Sequence, residues 1–139
     1  MFNPLTYLIS EVNWLAIIVV TVVNFFFGWL WYGPIFGKAW MNATGLNEDT
    51  MGASTKPMIL TFILAFGTAI IIAFAVEGFD IMYWPNGLLL GFGLGMALYA
   101  FNACSEYLWE NRSMKLLFIN AGFRVLSATF MGAVLSCWR

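Results

Sequence analysis

The chain has 139 residues, 62% of them hydrophobic and 9% charged, with a formal net charge of -1. A soluble domain is nearer half apolar and a quarter charged, so this excess does not fit one water-soluble core. The balance offers no basic field for nucleic acid and no room for a second, soluble domain.

The opening stretch, MFNPLTYLISEV, has no Lys or Arg and no small-residue cleavage site. It makes a poor signal peptide, so the first apolar run is expected to stay in the membrane. Tyr7, Leu8 and Ile9 are read as a short amphipathic lead-in at the interface. Four apolar runs then follow, at 13–32, 57–76, 86–109 and 115–138. About 20 such residues cross a bilayer as a helix, so the expected fold is all-α: an integral membrane bundle of four transmembrane helices. Trp14, Trp31, Tyr32, Trp84, Trp109 and Trp138 stand at span ends, as in an interfacial aromatic belt.

The loop 33–56 opens with Gly33-Pro34, which is expected to break the helix. Phe36, Trp40 and Met41 offer an apolar face that re-enters the interface. Asn47, Glu48 and Asp49 read as a helix cap and acidic first turn. Lys38, Lys56, Arg112 and Lys115 fall in the first and third loops, and Arg139 stands alone on the other side. The positive-inside rule then puts those loops in the cytoplasm and both termini outside. Asn42-Ala-Thr44 and Asn111-Arg-Ser113 match the glycosylation pattern but lie in loops read as cytoplasmic, and are discounted.

Asn24 and Asn102 each stand seven positions before a Trp, Trp31 and Trp109, with Leu30 and Leu108 also matching. This suggests a tandem duplication of a helical hairpin; three matches in an apolar background are the competing, chance reading.

Small residues recur every four positions. The third span has Gly87, Gly91 and Gly95; the fourth has Ala128, Gly132 and Ser136; the second has Thr61, Ala65, Ala69 and Ala73. Such stripes let membrane helices approach closely. They leave open whether the partner is another span or another copy of the chain.

Polar groups in hydrocarbon are expensive and mark candidate sites. Those here are Asn24, Asn102, Glu106, Asn120 and Arg124. On an ideal helix Gly91, Gly95, Asn102 and Glu106 fall within an arc of about 60°. Arg124 leads into the small-residue stripe of the fourth span. The expectation is a buried Glu106–Arg124 ion pair braced by Asn24, Asn102 and Asn120, serving either helix register or binding and permeation. The alternative is a hydrated Glu106 paired with Arg112 or Lys115.

The chain has no His, and Cys104 and Cys137 fall near opposite faces of the membrane. Neither a metal or haem cluster nor a Cys-x-x-Cys pair is present in the sequence. GFGLG lies within a span and lacks the strand–turn–helix context of a dinucleotide site. No cofactor, no metal and no enzymatic activity are expected. The glycine stripe and short loops point to a component that packs with itself or within a larger membrane complex. A small-solute or ion transporter or channel is the runner-up.

WYGPIFGKAWM at 31–41, with WENRSMKLLFINAGF and MGAVLSCW between 109 and 138, resembles the family called domain of unknown function 1761. The resemblance implies a small four-span protein of a bacterial inner membrane and implies no reaction. Phe123 stands where the family pattern has Tyr, and a basic residue at Arg124 is not obligatory in it, which counts against a family-wide role for Arg124.

Overall fold

The computed structural model describes residues 3–51 and 55–139. Residues 1–2 of the opening stretch and 52–54 of the long loop lie outside the described residues. The chain begins with α1 (Pro4–Glu11), started by Asn3, whose side chain accepts from the Leu5 and Thr6 N–H groups. Four long helices follow: α2 (Trp14–Ile35), α5 (Thr55–Gly78), α6 (Trp84–Trp109) and α7 (Met114–Cys137). Each is long and apolar enough to cross a membrane. Between α2 and α5 lie α3 (Gly37–Thr44) and the single turn α4 (Glu48–Met51).

The span starts have local causes. Asn13 caps α2 by accepting from Ala16 N–H, and Ser113 caps α7 by accepting from Leu116 N–H. Pro85 sits in the first turn of α6, where its missing N–H costs nothing. Glu48 and Asp49 occupy the first turn of α4, where negative charge suits the helix dipole.

Two π turns shape the bundle. Pro34 has no N–H, so the α-helical ladder cannot pass through it unchanged. The break expected at Gly33-Pro34 is instead a widening into a π turn, Trp31–Ile35, closed by Phe36 N–H donating to the Trp31 carbonyl at 2.9 Å. The backbone then folds back into α3. Gly37 is required there, because a Cβ would come within 2.8 Å of the Tyr32 carbonyl oxygen. The second π turn, Met96–Ala100, lies inside α6.

The helix α7 is central. It packs against α6, α5 and α2, whereas α6 leans almost wholly on α7. Gly87, Gly91 and Gly95 lie directly on α7: added Cβ atoms would strike Ser136 and Gly132 at the first, Ala128 at the second and Val125 at the third. The apolar core gathers Ala16, Ile17 and Val20 of α2, Ala69, Ile72, Ala73 and Val76 of α5, and Ala128, Met131 and Leu135 of α7. A smaller cluster at the other end joins Ala103 and Tyr107 to Leu116 and Leu117, with Trp40 and Ala43 of α3 against it. The apolar face expected in the loop thus rests on the bundle itself.

At the end opposite α3, Arg139 ties α7 to the α5–α6 connection. Its Nε donates to Glu77 Oε1 at 2.7 Å, a second guanidinium nitrogen donates to Glu77 Oε2, and a third donates to Asp80 at 3.2 Å. The hydrogen bond to Glu77 is the largest of the effects holding the guanidinium above its ordinary range. The Glu77 side chain is only 8% exposed, so removing its partner leaves a poorly hydrated carboxylate. Arg139→Ala is expected to lower stability by about 1.5–3 kcal/mol. Unfolding in detergent micelles, with Arg139→Lys losing only part of the stability, checks this.

Candidate functional site

The Glu106–Arg124 pair does not form. Glu106 is exposed and lies 3.8 Å from Arg112, which also reaches Glu110 at 3.5 Å. Arg124 is exposed, and its guanidinium stands 5.6 Å from the centre of the Tyr99 ring. The cause is the π turn at Met96–Ala100, which inserts one residue into the helical repeat and sets the following turns back by about 100°. Ala103 and Tyr107 therefore take the buried positions that unbroken periodicity gives to Asn102 and Glu106. On α7 each four-residue step advances about 40°, which carries Arg124 to the edge of the stripe formed by Ala128, Gly132 and Ser136. Val125 takes the place against Gly95.

Among the described residues Asn102 braces nothing across the bundle. Its Nδ2 donates to the carbonyls of Ala97 and Leu98, at 3.0 and 3.3 Å, satisfying backbone acceptors at the π turn of its own helix. Asn24 is buried, and among the described residues its Oδ1 has no hydrogen-bond partner. The two halves of the suggested repeat therefore sit in different surroundings. Their tryptophans differ as well: Trp31 is half-buried, whereas Trp109 is 88% exposed.

Of the expected residues, Asn120 is the one that hydrogen-bonds across spans among the described residues. Tyr32 O–H donates to its Oδ1 at 3.0 Å, and its Nδ2 donates to the Tyr107 hydroxyl oxygen at 3.0 Å. One amide thus links α2, α7 and α6. Beside it, Trp31 Nε1–H donates to the Ile119 carbonyl at 3.0 Å. Aromatic packing fixes these donors. Phe123 lies against Phe27, Trp31 and Tyr32 with ring centres 5.5, 6.3 and 5.3 Å apart. Phe36 covers Trp31 at 4.5 Å, and Trp40 meets Tyr32 edge-on at 5.9 Å. Small residues make the fit: a Cβ on Gly28 would come 3.2 Å from Phe123, and one on Gly122 would come 3.4 Å from Trp31.

The junction continues towards the helix ends. The Arg112 guanidinium lies 4.1 Å from the Tyr107 ring centre, joining the tyrosine to the two glutamates. Arg124 stands one turn along α7 from Asn120, with its guanidinium over the Tyr99 ring. The polar residues thus centre on Tyr32, Tyr107 and Asn120, with Arg124 and Tyr99 alongside. The three tyrosines are absent from the expected site. Two signals pointed their way: Trp31-Tyr32 precedes the Gly33-Pro34 break, and Ile119-Asn120 lies in the stretch that carries the family resemblance.

Residues 15–136 match the family described as Protein of unknown function (DUF1761). The chain belongs to this family. Neither a curated protein nor a solved structure matches it. The two stretches that carried the resemblance in the sequence are the two that bond to each other here, through Trp31 to Ile119 and Tyr32 to Asn120. The family description assigns no reaction to the junction. The chemistry it supports is structural hydrogen bonding at a place where three spans meet, with an arginine at its edge.

Proposed function

We propose that the chain is a non-enzymatic, multi-pass component of a bacterial cytoplasmic membrane that works by assembling with a second copy or within a larger membrane complex. Arg124 carries this reading. It lies about 13 Å along α7 from Lys115, it is exposed, and among the described residues no carboxylate comes within ion-pair distance of it. A cation at that depth is costly unless protein, water or a headgroup covers it. The Tyr99 ring gives it partial cover only. The glycine face of α6 is already occupied by α7, so assembly would use another surface, at the edge of α7 that carries Arg124. Lys38, Lys56, Arg112 and Lys115 favour an orientation with the first and third loops in the cytoplasm and both termini outside.

Mass analysis of the full chain in lipid nanodiscs tests the reading. The wild type is expected to hold more than one protein copy per particle, and Arg124→Gln is expected to shift the population towards one. Single copies for both proteins would overturn it.

A small-solute pathway is the second reading, favoured by the unpartnered Asn24 Oδ1 inside the bundle. Solute flux in proteoliposomes that Asn24→Leu abolishes and Arg124→Gln spares would select it over assembly.

A further inference from the structure

We propose that α2 and α7 enclose a binding site for a single water molecule between Asn24 and Ser127. Asn24 is 5% exposed and Ser127 6%, and among the described residues neither Asn24 Oδ1 nor Ser127 Oγ has a hydrogen-bond partner. The register of the two antiparallel helices puts them at the same level. Trp31 bonds to Ile119, and one turn further in, Phe27 and Gly28 lie on Phe123. Two turns beyond that, Val20 shares the core with Met131. The turn between those two levels holds Asn24 on α2 and Ser127 on α7.

The serine departs from local habit. Thr21, Thr68 and Thr129 each donate to the carbonyl four residues earlier, and Ser136 donates to the one three residues earlier. Such back-bonding is how a hydroxyl satisfies itself within an apolar helix. Ser127 does not take that option, and its oxygen is closed off from outside. Asn24 Oδ1 can only accept, whereas a serine hydroxyl donates and accepts. The two make no direct bond with each other. A water that donates to Asn24 Oδ1 and accepts from Ser127 O–H satisfies both with one molecule. Buried waters characteristically occupy such places, bridging polar groups that would otherwise be orphaned. One turn to one side of this level is the Phe27–Phe123 contact, and one turn to the other are Val20 and Met131, both nearly inaccessible. These apolar levels leave the two polar atoms as the water's anchors. The site does not depend on how many copies of the chain assemble.

Water-edited solid-state NMR of the full chain in lipid bilayers tests the site. Magnetisation from water is expected to reach the Asn24 side-chain amide and Ser127 as early as it reaches exposed loop residues. It should fall at Ser127 by at least twofold in Asn24→Leu and at Asn24 in Ser127→Ala. The Tyr32–Asn120 signals report that each variant is folded, and either variant alone is sufficient. Absence of early transfer at Asn24 and Ser127 in the wild type, or a direct Asn24–Ser127 hydrogen bond, overturns the proposal.

Discussion

Gly91→Ala is expected to destabilise the chain more than any other single-methyl substitution on α6. The new Cβ would overlap the Ala128 carbonyl oxygen and come within 2.8 Å of the Ala128 carbonyl carbon and 2.9 Å of Thr129 Cα. These are backbone atoms, so no side-chain rotation relieves the clash and the two helices must move apart. Overpacking of this kind costs about 1–3 kcal/mol, and occasionally more. In lipid the loss is not offset by apolar burial, because hydrocarbon solvates the separated faces as well as a neighbouring helix does. Gly93, two residues on, is the control: a Cβ there meets nothing within 4 Å. Gly93→Ala should be neutral or stabilising, by up to about 1 kcal/mol from helix propensity. Reversible unfolding in mixed micelles of the two variants checks both. Equal effects would mean that α6 does not rest on α7 at Gly91.

Asn120→Leu has the second large effect. The substitution removes two interhelical hydrogen bonds at once and strands two hydroxyls, those of Tyr32 and Tyr107. Tyr107 is 4% exposed and has little access to solvent. An unsatisfied buried polar group costs more than the bond contributed, so the expected loss is about 2–4 kcal/mol. Restoring apolar matching with Tyr32→Phe in the same chain should recover part of it. The same unfolding titration measures both, and a full recovery or none would both argue against shared bonding through Asn120.

The spans were legible because a run of about 20 apolar residues has few other uses. The observed helices begin and end within three residues of the runs at 13–32, 57–76, 86–109 and 115–138. The polar site was legible only in part, and one local event explains most of the difference. No sequence rule marks the π turn inside GMALYAF. Ideal periodicity carried from Gly95 to Asn102 and Glu106 therefore points at the wrong face, and the true inward residues are Ala103 and Tyr107. Upstream of that turn the glycine spacing reads correctly, since the helix there is regular. Pro34 did announce a disturbance, but its outcome, a π turn that folds α3 back onto the bundle, depends on Gly37 and on the aromatic side chains it meets. Tyr32, at a span end, reads as an interfacial belt residue, and Tyr107 carries no signal of its own. That Tyr32 and Tyr107 meet one amide from opposite sides is a property of the packed bundle, which one-dimensional spacing does not carry.

Asn120, and not a Glu106–Arg124 ion pair, organises the polar groups within the spans, and two double-mutant cycles distinguish the two arrangements. Tyr32→Phe with Asn120→Ala is one cycle; Glu106→Gln with Arg124→Gln is the other. Unfolding free energies in the same lipid–detergent mixture should show a coupling of about 0.5–1.5 kcal/mol in the first. In the second the two substitutions should add to within about 0.3–0.5 kcal/mol. Additivity in the first cycle with strong coupling in the second would show the ion pair, not Asn120, to be the organising contact.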